Sequence, residues 1–74
     1  MYNLYLYEYK EEYGEGVTSV LYIADNDGNI VYVNMNDNGW KTWSGTLDRS
    51  DPNLTFERKV NRKELKDKFF IDNI

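Results

Sequence analysis

Between Tyr2 and Val60 apolar residues recur at every second position, and no helical period is sustained. That alternation is the feature that most constrains the fold. A strand sends successive side chains to opposite faces, so a chain written this way builds sheet. Glycine turns cut it into segments. Tyr2, Leu4 and Leu6 alternate with Asn3, Tyr5, Tyr7 and Tyr9 in a first strand. Val17 to Ala24, rich in β-branched and aromatic residues, is a second. Ile30 to Asn36 and Trp40 to Leu47 follow, each entered through a turn, "DNDGN" and "DNG". Leu54, Phe56 and Val60 alternate with Thr55, Glu57 and Lys59 in a fifth.

The turns set an expected register. A three-residue loop over Asn26, Asp27 and Gly28 pairs Ile23 with Val31 and Leu21 with Val33. One face then collects Val17, Leu21, Ile23, Val31, Val33 and Met35. The same treatment of Asp37, Asn38 and Gly39 pairs Asn36 with Trp40 and Val33 with Trp43. Trp43 and Leu47 thereby join the aliphatic core, and Trp40 points the other way. A register one residue different would mix aliphatics and tyrosines on both faces.

Helical spacing appears only after Val60. Asn61 is placed to cap, Glu64 follows three residues on as in a capping box, and Val60 and Leu65 hold the positions of a hydrophobic staple. Leu65 and Phe69 make one apolar stripe. The expected fold is a single α+β domain over residues 1–74, a small antiparallel sheet of four to five strands with one short C-terminal helix. The alternative is a small SH3-like or OB-like β-barrel capped by the helix.

Composition excludes most chemistry. The chain has no cysteine and no histidine, so it offers neither disulfide nor the usual zinc ligands. "NMNDNG" has the start of a calcium loop, but Gly45 stands where the bidentate glutamate belongs, so no metal or cofactor is expected. No serine has a lysine at a recognisable nucleophile spacing, and the glycines near Gly14 lack the ending of a phosphate cradle. No catalytic residue is assigned. No uncharged run is longer than Gly16 to Ala24, far below the ~20 residues of a membrane helix, and no signal peptide is legible, so a cytoplasmic protein is expected.

Charge is unevenly laid out. Residues 1–57 hold ten acidic residues against Lys10, Lys41 and Arg49, whereas residues 58–74 hold six basic residues against Glu64, Asp67 and Asp72. The whole chain carries −4. Aromatic residues concentrate in the acidic part, and one helix can cover only one sheet face. The other is expected to present a tyrosine-rich surface suited to binding. The expected partner-binding residues are Glu8, Glu11, Glu12 and Glu15 for charge, with Tyr7, Tyr9, Tyr22, Tyr32 and Trp40 for contact area.

Frequent Asn and Tyr, with AT-rich codons, beside a single Ala24 and a single Pro52, with GC-rich ones, point to an AT-rich genome. In length, acidity and residue choice the chain resembles the small inhibitors that phages encode against host enzymes or defence systems, anti-CRISPR proteins among them. That likeness maps no residue onto a known site. It implies a non-enzymatic protein whose acidic face blocks a basic, nucleic-acid-binding surface of a host protein, with no direct contact to nucleic acid or membrane. The competing expectations are a single-stranded nucleic-acid-binding β module, stacking bases on the aromatic face, and a subunit that assembles with itself, a homodimer included.

Overall fold

A computed structural model describes residues 1–10, 14 and 16–71. Five strands, β1 (Tyr2–Lys10), β2 (Val17–Ala24), β3 (Asn29–Met35), β4 (Trp40–Thr46) and β5 (Leu54–Val60), precede one helix, α1 (Arg62–Asp67). All neighbouring strands are antiparallel, in the order β4-β3-β2-β1-β5. The edge strands β4 and β5 do not pair, so the sheet is open and the barrel alternative does not form.

One face carries the core. Leu4, Ile23, Tyr32, Val60, Leu65 and Ile71 form a buried cluster, with Tyr2, Leu21, Val31, Trp40 and Phe69 packed against it. Helix α1 supplies Leu65, which is fully buried. The helix begins where the sequence places it, because Asn61 Oδ1 accepts the Glu64 N–H at 2.8 Å. Val60 and Leu65, the staple pair, are both 0% exposed. The Glu64 carboxylate also reaches Arg58 of β5, at 2.6 Å. The helix stops at Asp67, so Phe69 reaches the core from beyond it. Phe70 then takes a left-handed backbone, φ 57°, and the Ile71 N–H returns to the Leu65 carbonyl.

The first turn matches its sequence reading. The Asp25 N–H donates to the Asn29 carbonyl, the Gly28 N–H to the Asp25 carbonyl, and Gly28 has φ 86°. Asp25 Oδ1 accepts the N–H groups of Asp27 and Asn29, both at 2.9 Å. The buried Asn3 side chain holds this turn to β1, donating to the Asp25 carbonyl and to Asn26 Oδ1.

Two residues further on, the expected register fails. Ala24 faces Ile30 as the turn dictates, but Ile23 then faces Tyr32, because Val31 is an extra residue in β3. Such a bulge shifts pairing by one, and a shift of one sends every later side chain to the other face. Val31 and Tyr32 both pack on the core side, while Val33 and Met35 move to the opposite side. The second turn also begins earlier than expected. Asn36 and Asp37 take φ 51° and 60°, the Asn38 N–H donates to the Met35 carbonyl, and Asn34, not Asn36, faces Trp40. That change of two residues preserves faces, so the bulge alone exchanges the tryptophans. Trp40 stands edge-on to Phe69, ring centroids 5.6 Å apart, and Trp43 is 58% exposed. The expected core role of Trp43 and open-face role of Trp40 are therefore reversed.

Candidate functional site

The helix-free face is the candidate surface. Alternation on β1 and β2 brings Tyr5, Tyr7 and Tyr9 to it beside Tyr22, Val20 and Thr18. Beyond the bulge, β3 adds Val33 and Met35, and β4 adds Lys41 and Trp43. On the other side β5 adds Phe56, whose ring meets Tyr5 edge-on at 5.5 Å. Val20, Ala24, Ile30 and Val33 are buried here although no helix covers them, because larger rings and a loop screen them. Among the large apolar side chains of this face, Trp43, Met35, Phe56 and Tyr9 remain 58%, 53%, 49% and 45% exposed.

A chain segment crosses that face. With β4 and β5 at opposite edges, residues 47–53 must span the sheet. The crossing is pinned at both ends. The Leu47 N–H donates to the Gly28 carbonyl at 2.9 Å, and the Glu8 N–H donates to the Asn53 carbonyl at 3.1 Å. Arg49 Nη2 donates to the Asn26 carbonyl at 2.8 Å, tying the strap to the first turn. Two aspartates fold the middle. Asp48 Oδ1 accepts from the Ser50 hydroxyl and N–H, and Asp51 Oδ1 accepts the Asn53 N–H. The Ser50 hydroxyl, and then its N–H, hold the Asp48 carboxyl below its ordinary value.

Under the strap lies an open cleft of about 120 Å³, lined by Tyr7, Tyr22, Ile30, Leu47 and Leu54, with Thr46, Asp48 and Asp51. Burial raises the Tyr22 phenol above its ordinary value, and the neighbouring Tyr7 adds to the rise. With its phenol raised, Tyr22 stays neutral near pH 7, and the cleft sets aromatic rings beside carboxylates.

The expected binding residues divide. Tyr7, Tyr9 and Tyr22 share this face. Glu8 is exposed, but its register with Ser19 places it on the helix side of the sheet. Tyr32, 9% exposed, belongs to the core, and Trp40 is half-buried against it, so neither offers the contact area expected of it. Glu11, Glu12 and Glu15 lie outside the described residues. The sequence reading missed Met35, Trp43, Phe56, Asp48 and Asp51. The signal for the aspartates was in "LDRSDPNL", a polar stretch closed by leucines at both ends.

Most of the basic groups lie elsewhere. Arg62, Lys63, Lys66 and Lys68 belong to the helical segment over the opposite face, and Arg58 is engaged by Glu64 and lies over the Phe69 ring. Among the described residues no helix is long and apolar enough to cross a membrane, and no group of three or more acidic residues is placed to hold a metal ion. Compared with known proteins, the chain matches no family model, no curated protein and no solved structure.

Proposed function

We propose that this chain is a non-enzymatic protein-binding module that meets its partner with the strap-crossed face of its sheet. The observation that carries this reading is the gathering of Trp43, Met35, Phe56 and Tyr9, each about half exposed, on one face that no helix covers. Tryptophan and tyrosine give large contact area with few rotatable bonds, and methionine adapts to irregular surfaces. The net charge of −4 favours a basic partner surface. A nucleic-acid-binding surface on a host or defence-system protein has that character, and covering it would inhibit the host protein, as a phage-encoded inhibitor does.

Single-stranded nucleic acid is the competing ligand. Stacking platforms work beside cationic grooves. Here the lysines and arginines of the helical segment stand behind the sheet, and Lys41 is the cation beside Trp43. That separation favours a protein partner.

The test is a capture experiment from a low-GC bacterial lysate, read by mass spectrometry, with two variants beside the wild type. A partner retained by wild type and by a Lys63→Ser, Lys66→Ser variant, but lost by a Met35→Ser, Trp43→Ser variant, supports the reading. Loss through the helix variant alone overturns it. An oligonucleotide titration completes the test. Measurable wild-type affinity at physiological salt, raised further by reversing Glu11, Glu12 and Glu15 to lysine, would mean a nucleic-acid binder.

A further inference from the structure

The cleft beneath the strap has a composition that selects its ligand. Its walls are the rings of Tyr7 and Tyr22, its apolar contacts are Ile30, Leu47 and Leu54, and Asp48 and Asp51 are its charged groups. No lysine or arginine is among its described lining residues. The strap's own cation is turned away: Arg49 donates to the Asn26 carbonyl, and its Nη2 stands 3.0 Å from where a Gly28 Cβ would lie. The aspartates are fixed by their backbone turns, each spending Oδ1 on an N–H two residues ahead.

Ring faces attract cations within about 6 Å of their centroid, and carboxylates add direct charge. A metal ion is a poor match, since calcium takes 6–8 oxygen ligands and two aspartates supply too few. A purely apolar guest would leave the carboxylates unused. What complements rings, leucines and two anions together is a compact cation carrying its own carbon chain. The size agrees: about 120 Å³ is slightly less than the ~150 Å³ cavity that accepts benzene. That leaves room for an ammonium group and a few methylenes.

We propose that this cleft receives an alkylammonium head group, and specifically the end of a lysine side chain presented by the partner protein. This rests on the protein-binding reading above and gives it a chemical anchor. The exposed Trp43 and Met35 supply contact area, while the cleft supplies selection for a basic partner.

The experiment is an NMR titration of the intact chain, following the methyl signals of Ile30, Leu47 and Leu54. The probes are n-butylammonium, neutral 1-butanol, and two short capped peptides, one with lysine and one with norleucine at the same position. n-Butylammonium should shift these methyls saturably and bind about tenfold more tightly than 1-butanol. The lysine peptide should move the same signals and the norleucine peptide should not. Asp48→Asn and Asp51→Asn each keep the oxygen that closes the turn while removing charge. The double variant should therefore retain the wild-type amide spectrum and bind ammonium and alcohol alike. Equal affinity for the two small probes in the wild type overturns the proposal. So does ammonium discrimination that survives in the double variant. Binding of n-butylammonium without the lysine peptide overturns the side-chain assignment. Because the capture experiment varies Met35 and Trp43, which lie outside the cleft lining, the protein-binding reading and the ammonium site can fail separately.

Discussion

The two faces of this sheet solve the same problem with different means. On one, a helix delivers Leu65 into a cluster with Leu4, Ile23, Tyr32 and Val60, and the apolar surface is shut away. On the other, no helix among the described residues covers the strands. Small residues in the middle are screened by tyrosines and by a crossing loop, and the outer rings stay in solvent. The described residues write alternating apolar positions on five strands, with two faces to close and one short helix to close them with. The uncovered face retains apolar surface that would be costly to leave without a use. The covered face holds the buried cluster, and the open face is the one proposed to meet a partner.

The tryptophans test that division most directly. Trp40 packs on the helix side against Phe69, and Trp43 stands on the open side. Trp40→Ala should cost about 3 kcal/mol, at the low end for a large aromatic because the ring is only half-buried. Trp43→Ala should stay within about 0.5 kcal/mol, as surface substitutions do. Chemical denaturation of both variants measures the difference. Similar losses would mean that the open face contributes as much as the covered one.

That exchange also marks where the sequence stops being legible. Strand positions, the first turn, the cap at Asn61 and the C-terminal helix all follow from local patterns, since alternation, glycine and capping chemistry act within a few residues. The bulge does not. Ile30, Val31, Tyr32 and Val33 are four apolar residues in a row, so either parity buries two of them, and no polar residue penalises the inserted one. What selects the bulge is tertiary: with it, Tyr32 and Trp40 meet a segment more than twenty-five residues away. The candidate site inherited the error. Tyr7, Tyr9 and Tyr22 precede the bulge and were placed correctly, whereas Tyr32 and Trp40 follow it and were not. The strap was missed for a related reason. Only the strand order, with β4 and β5 at opposite edges, forces residues 47–53 across the sheet.

The strap's anchorage gives the next contrast. Gly28 has φ 86°, and a Cβ there would meet Arg49 Nη2 at 3.0 Å. Gly28→Ala should cost about 1–2 kcal/mol through the left-handed backbone, and the displaced guanidinium would lose the Asn26 carbonyl. Hydrogen exchange should rise at Leu47, whose N–H donates to Gly28, and remain unchanged at Leu65, on the other face. Equal loss of protection on both sides would show one cooperative unit instead of two separately fastened faces. The matching cut on the covered side is Asn61→Ala. It removes the acceptor for the Glu64 N–H and should cost about 1 kcal/mol, with exchange rising in α1 and not in the strap.

The smallest effect concerns the ion pair that ties β5 to α1. Arg58 Nη1 lies 2.6 Å from Glu64 Oε2, with Lys68 Nζ at 3.9 Å, and both partners are partly exposed. The Arg58 hydrogen bond, foremost, and the charges of Arg58 and Lys68 lower the Glu64 carboxyl below its ordinary 4.5. A carboxyl lowered on folding adds stability that is present above its unfolded pKa. That contribution disappears as pH falls through the folded value, because the unfolded chain then binds the proton more readily. Acidification from pH 5 downward should therefore destabilise the wild type more steeply than Glu64→Gln, whose amide does not titrate. The gap between the two should be greatest above pH 5 and close in acid. High salt should narrow it too, since exposed pairs are screened. Parallel pH curves for the two proteins would mean that Glu64 gains nothing from Arg58, leaving Asn61 and the buried Val60–Leu65 contact to fasten the helix to its face.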